Sequence, residues 1–359
     1  EEFSTNAEKI DLSFNKLESV HLNKTMSKMI SLSLRHTNIS SLKSLKSQFL
    51  TNLVSLDLSE NSFQDIVTFN WSMLQNLTSL SLFSLNISDL EFFSRCPDNS
   101  KIKFLNLSCN CISSIGTAFT RFNSLKTLDL SNNKIESISD SVLRSRALID
   151  TFYLQNNKLN RFPNVYAPCL VINLSNNLIR RIDTYSAEKL LFLVILDLSR
   201  NQIDFIEFEN IFEPESDLEE LYLNENRLSE IRGNDLSFFS LLRILNLSSN
   251  RISWIDKNAF SNMDRLTFLE LTDNNITNLD SSIFRNQLQL VWLNLSHNRI
   301  ELINEEIFSS LYNLNTLDLS HNFLRLIEDY SFLLLNRLET ISLSANQALV
   351  FSTNTFYDL

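Results

Sequence analysis

The residues best suited to chemistry in this chain are four histidines, four cysteines and scattered carboxylates. Their spacing decides what they can do. Asp273, His297 and His321 stand 24 residues apart in turn, which would bring a carboxylate and two imidazoles side by side if the chain repeats with that period. Such a row suits a pH-sensitive contact. As a metal site it is poor, because the outer members of a straight ladder of three lie roughly 10 Å apart whereas zinc needs contacts of about 2 Å. Cys109 and Cys111 flank Asn110 without a second pair or a nearby histidine, and His21 and His36 stand near no cysteine nucleophile. Asp57, Asp129, Asp197 and Asp318 recur at one position of a repeated phrase and do not form paired catalytic carboxylates. With only Gly116 and Gly233 in 359 residues, no phosphate loop, dinucleotide fingerprint or nucleophile elbow can be built. The sequence therefore predicts no catalytic residue, no cofactor, no metal and no metabolite substrate.

The elements that position these residues are copies of one phrase. Its clearest forms are Leu245-Asn246-Leu247-Ser248-Ser249-Asn250, Leu293-Asn294-Leu295-Ser296-His297-Asn298 and Leu317-Asp318-Leu319-Ser320-His321-Asn322. From Asn226 through Asn250, Asn274, Asn298 and Asn322 to Asn346, every interval is 24 residues. A fixed period in this range is the signature of a leucine-rich solenoid, in which each unit contacts only its neighbours. In Leu-x-Leu the leucines face one way and the x residues the other, as the period of a strand requires. Stacked copies predict a parallel sheet with one buried and one open face. A buried Asn must find hydrogen-bond partners, so these amides are expected to form a ladder with main-chain groups. Thr37 and Leu85 occupy ladder positions and predict local irregularity there. Ten residues after the ladder Asn comes Phe260, Phe284, Phe308, Phe332 or Phe356, with Phe212 one place later in a longer repeat; this column predicts a spine of core rings on the convex side.

The expected fold is an α/β leucine-rich-repeat horseshoe of about fifteen 24-residue repeats, with irregular or short helical segments on the convex side. Residues 1–359 read as a single domain, since no linker or low-complexity stretch marks a boundary. The chain opens Glu1-Glu2-Phe3 and ends just past Phe356, with no cap at either end, so a segment of a longer protein is expected, and any membrane attachment would lie outside it. Its longest apolar run, from Leu190 to Leu196, falls far short of the roughly 20 residues a membrane span needs. A net charge of -11 without a basic stripe argues against nucleic acid. The acidity suits solubility, or a cationic partner.

Ten Asn-x-Ser/Thr sequons occur. Those at Asn106, Asn173, Asn246 and Asn294 are by-products of the Leu-Asn-Leu-Ser phrase, which leaves Asn23, Asn38, Asn70, Asn76, Asn86 and Asn275 as the candidate glycosylation sites. Cys169 falls in a strand leucine column and is expected to be a buried thiol. In an oxidising compartment Cys96 could pair with Cys109 or Cys111, and the sequence does not choose between them.

The repeat form LxxLxLxxNxLxxLxxxxFxx resembles the typical class of extracellular leucine-rich repeats, carried by Toll and Toll-like receptor ectodomains, chaoptin, connectin, Slit and small leucine-rich proteoglycans. The resemblance runs along essentially the whole chain. It implies an extracellular or cell-surface setting and a recognition role, as a receptor ectodomain binding protein or microbial ligands, an adhesion protein that self-associates, or a secreted binder.

Fifteen strands would span an arc of roughly 70 Å, which suits a protein or extended polymer. Along it, Glu220, Ile244, Phe268 and Trp292 fall in one outward column, with Tyr222 and Glu270 in the next. An exposed stripe of Ile244, Phe268 and Trp292 beside Tyr222 is the expected anchor for a partner. Glu220, Glu270, Asp273, His297 and His321 are the expected polar contacts around it.

Overall fold

Leucines at every second position turn inward and set the architecture. The computed structural model describes residues 7–20, 28–45, 50–96, 100–119, 121–138, 149–164, 169–182, 190–214, 216–347 and 349–357. Two compact units divide the chain, Glu1–Cys169 and Leu170–Leu359. The first contains seven parallel strands, Lys9–Asp11, Ser31–Ser33, Ser55–Asp57, Ser79–Ser81, Phe104–Asn106, Thr127–Asp129 and Thr151–Tyr153, each paired with the next in chain order. The second contains eight, Val171–Asn173, Ile195–Asp197, Glu220–Tyr222, Ile244–Asn246, Phe268–Glu270, Trp292–Asn294, Thr316–Asp318 and Thr340–Ser342, paired in the same way. The register sets like on like, with Leu245, Leu269, Leu293 and Leu317 opposite one another and fully buried.

The asparagine ladder forms as expected. Asn298, 4% exposed, donates its Nδ2 to the carbonyls of Leu271, Leu295 and Ser296 at 2.9, 3.1 and 3.1 Å. Its Oδ1 accepts from the Ile276 amide at 3.0 Å. One side chain thus joins two successive coils and closes its own turn. Thr37 has one hydroxyl in place of the amide, shared between the Leu34 carbonyl at 2.8 Å and Asn61 Oδ1 at 3.2 Å, and Leu85 has no side-chain donor. In these two coils the residue after the ladder position, Asn38 or Asn86, is driven to positive φ (62° and 59°). That is the irregularity the sequence predicts.

The Phe spine also forms. Successive rings from Phe260 to Phe356 stack with centroids 6.2, 6.4, 6.2 and 5.9 Å apart. Phe212 instead packs edge-on against Phe208 and Phe239, and in the first unit Trp71, Phe92, Phe93, Phe119 and Phe122 form a corresponding aromatic core.

The return segments correct the α/β expectation. Among the described residues they are mostly turns, bends and irregular chain, with 3-10 helices at Trp71–Met73, Glu91–Arg95 and Phe208–Asn210. The cause is spacing. Phe260, Met263 and Leu266 must all point inward, as must Phe308, Leu311 and Leu314, and a three-residue period fits i→i+3 turns better than the 3.6 of an α-helix. The bonds from Met263 N to Phe260 O and from Leu266 N to Met263 O, 3.0 and 3.1 Å, are of that type. Short lateral strands flank the second unit's sheet: Glu230–Ile231 pairs with Trp254–Ile255, and Leu302–Ile303 with Leu326–Ile327 and then Val350–Phe351.

Candidate functional site

On the open face of the second unit's strands, the pairing places Glu220, Ile244, Phe268, Trp292 and Thr316 in one column and Tyr222, Asn246, Glu270, Asn294 and Asp318 in the next. Parallel strands about 4.8 Å apart bring flat side chains of one column into contact. Phe268 and Trp292 stack accordingly, with centroids 5.7 Å apart and planes at 9°. Tyr222, Ile244, Phe268 and Trp292 are all half-buried, each shielded in part by its column neighbours.

The carboxylates of this face are tied to its aromatic rings. Tyr222 donates its hydroxyl to Glu220 Oε2 at 2.9 Å, and burial together with that bond pushes the phenol up to about 12. Trp292 donates its indole N–H to Glu270 Oε2 at 3.3 Å. Burial raises the Glu270 carboxyl above its usual range and the charge of Asp318 adds to the rise, opposed by the bonds from Trp292 and Thr272.

His297 and His321 stack at 4.1 Å and 10°, both exposed. Among the described residues neither forms an ion pair with Asp273, although the three occupy equivalent places in successive coils. These places share a feature that the sequence reading missed. The residue just before each ladder position has positive φ, including Glu225 (56°), Asp273 (55°), His297 (53°) and His321 (53°). In a chain with two glycines, non-glycine residues take this left-handed turn and project from its rim. A recurring Asp, Asn or His before the ladder Asn was the available signal, since these types tolerate positive φ better than most.

The regular acids of the strand phrase are structural. Asp57, Asp129, Asp197 and Asp318 each accept the amide of the serine two residues on, at 2.8–2.9 Å. Asn106, Asn173, Asn246 and Asn294 do the same, occupying the Oδ1 of those four sequons. Of the candidate glycosylation sites, Asn38, Asn70, Asn76 and Asn86 are exposed, Asn275 is half-buried, and Asn23 lies outside the described residues. All four cysteines are free thiols. Burial pushes Cys96 and Cys169 up to about 12, and Cys111 donates to Asn86 Oδ1 at 3.1 Å.

A cavity of about 520 Å³ lies away from this face, lined by Glu207, Arg232, Gly233, Asp235 and Asp256 among others. Its polar groups serve their own turns. Asp235 accepts the Arg232 amide at 2.7 Å, Asp256 accepts the Asn258 amide at 2.8 Å, and Arg232 pairs with Glu230 at 2.6 Å. At Gly233 a Cβ would stand 2.9 Å from Asp256 Oδ1, so a side chain there would oblige that carboxylate to turn. Among the described residues, no group of three or more His, Cys, Asp or Glu side chains could hold a metal ion, and no helix is long and apolar enough to cross a membrane.

The coiled strands, the asparagine ladder and the inward leucines define a leucine-rich-repeat protein. The leucine rich repeat family model matches residues 100–159, 216–276, 264–324 and 288–348, together more than half of the chain. The chain belongs to that family. No curated protein sequence matches it. Among solved structures it is similar to a leucine-rich-repeat protein of Leptospira interrogans, with 25% identity and a TM-score of 0.76 over 94% of this chain and 84% of that one. An internalin of Listeria monocytogenes aligns at 23% identity and TM-score 0.64, over 95% and 87% of the two chains. The Toll–Spatzle complex of Drosophila aligns at 21% identity and TM-score 0.70, over 87% of this chain and 42% of that one, so the chain spans less than half the length of that relative. The fold is generally a scaffold for protein interaction, not for catalysis.

Proposed function

We propose that the chain is the ligand-recognition module of an extracellular, Toll-like or related cell-surface receptor. In this reading residues 1–359 are one horseshoe-shaped domain of fifteen repeats, and the partner is a protein or microbial ligand. The observation that carries the reading is the half-buried stack of Phe268 on Trp292, continued in its column by Ile244, with Tyr222 one strand further on in the neighbouring column of the outward strand face. Aromatic and aliphatic side chains in a contiguous outward stripe are the composition of interface anchors. Exposed sequons at Asn38, Asn70, Asn76 and Asn86 support the extracellular setting. The Drosophila relative is described in complex with Spatzle, as a hub in development and innate immunity, and a protein ligand is proposed here on the same pattern.

A displayed peptide library panned on the wild-type chain, with depletion on Phe268→Ala/Trp292→Ala, tests the proposal. Ligands that discriminate between the two by at least about tenfold, or about 1.4 kcal/mol, are expected. Ligands that bind both equally would overturn it.

A second reading, adhesion by self-association, is favoured by a different stripe. Leu302, Leu326 and Val350 lie in register on the lateral strands and are 41%, 43% and 63% exposed. Sedimentation of the purified chain decides this one: adhesion requires a concentration-dependent dimer that Leu326→Arg abolishes, and a monomer at all concentrations ends it.

A further inference from the structure

On the proposed binding face, one ring surface is left uncovered by its column and two carboxylates have no cationic partner among the described residues. Phe268 covers one face of the Trp292 indole. On the other side the register places Thr316, whose hydroxyl turns away to Asn315 Oδ1 at 3.1 Å, and a threonine is too short to cover an indole. The aromatic column therefore ends in an open ring face.

Charge around that ring has one sign. The outward positions of the second unit's eight strands carry the carboxylates Asp197, Glu220, Glu270 and Asp318 and no lysine or arginine. Elsewhere in the unit four acids pair with arginines: Glu219 with Arg243, Glu225 with Arg200, Glu230 with Arg232 and Glu301 with Arg325. Glu270 and Asp318 pair with none among the described residues. They lie on the strands to either side of Asn294, at the same register position, so they flank the strand that carries Trp292. Burial raises the cost of the Glu270 charge, and repulsion from the Asp318 carboxylate adds to it. A partner bearing positive charge relieves both.

Resting on the strand face as the binding surface, we propose that its partner is a protein segment bearing an arginine, whose guanidinium stacks on the open face of Trp292 and donates to Asp318 and Glu270. The choice of arginine over lysine follows from shape. A planar guanidinium lies flat on an indole while its N–H fork reaches carboxylates at the ring edge, whereas an ammonium is a compact and strongly hydrated charge.

The test uses acetyl-tetra-arginine amide as probe and the three indole N–H resonances of the full chain (Trp71, Trp254 and Trp292) as readout. Saturable movement of the Trp292 resonance is expected, with those of Trp71 and Trp254 unmoved. Acetyl-tetra-lysine amide should bind at least about fivefold more weakly. Glu270→Gln and Asp318→Asn should each weaken the arginine peptide by roughly threefold to tenfold, while Asp280→Asn, which lies off this face, leaves it unchanged. An unmoved Trp292 resonance, or equal binding of the two peptides, overturns the arginine proposal. If that happens while library ligands still discriminate against Phe268→Ala/Trp292→Ala, the strand face stands as a binding surface and only its preference for arginine falls.

Discussion

Trp292 donates its indole N–H to the carboxylate of Glu270, 3.3 Å away on the preceding strand. The bond makes an aromatic ledge and an acidic group into one feature, and it has a consequence for stability. Burial holds the Glu270 carboxyl above its ordinary range. A group raised in the folded state favours folding below its unfolded value, and that contribution is lost as pH rises through the folded value. Glu270→Gln, which keeps an oxygen to accept from Trp292, should therefore be more resistant to urea than wild type at pH 7. The advantage should shrink as pH falls below the usual carboxylate range. Urea midpoints at pH 7 and pH 4 check this.

The two aromatic columns should differ in what they contribute. Phe308 is fully buried between Phe284 and Phe332, and Phe308→Ala should cost about 3–5 kcal/mol. Trp292→Ala, on a half-buried face, should cost clearly less while removing ligand binding. Chemical denaturation of both variants beside a binding assay separates core from surface.

Asn298→Ala removes a donor to three carbonyls and the acceptor of the Ile276 amide. Each buried group left unsatisfied costs about 1–3 kcal/mol, so a loss of at least about 3 kcal/mol is expected, with fast hydrogen exchange at the Ile276 amide. Asn298→Thr should recover part of it, as Thr37 retains a bond to the carbonyl three residues back.

Gln287 is the polar exception in the return-segment column that holds Met263 and Leu311. It is fully buried, its Nε2 reaches the Phe260 carbonyl at 2.6 Å, and its Oε1 has no partner among the described residues. The Phe260 carbonyl also accepts the Met263 amide. Gln287→Met should thus leave no new orphan and stabilise the fold by about 1 kcal/mol, seen as a higher urea midpoint.

Period and alternation made the sheet legible in the sequence. Leu245, Leu269, Leu293 and Leu317 fall in register because each coil repeats the strand phrase, and the same arithmetic put Phe268 beside Trp292 and His297 beside His321. The return segments were not legible to the same degree. The inward spacing of Phe260, Met263 and Leu266 fits a 3-10 turn, yet three apolar residues over so short a span also fit a helical pattern, so irregular and short helical segments were equally open. The bonds within the candidate site were beyond reach as well. That Glu220 serves Tyr222 and Glu270 serves Trp292 depends on side-chain rotation, which register alone does not set.

Hydroxyl-radical footprinting of the full chain, with and without a library-selected ligand, tests the central claim most directly. The account predicts protection of Tyr222, Phe268 and Trp292, with Leu302, Leu326 and Val350 oxidised as before. Protection confined to the lateral stripe, with Phe268 and Trp292 unchanged, would contradict it.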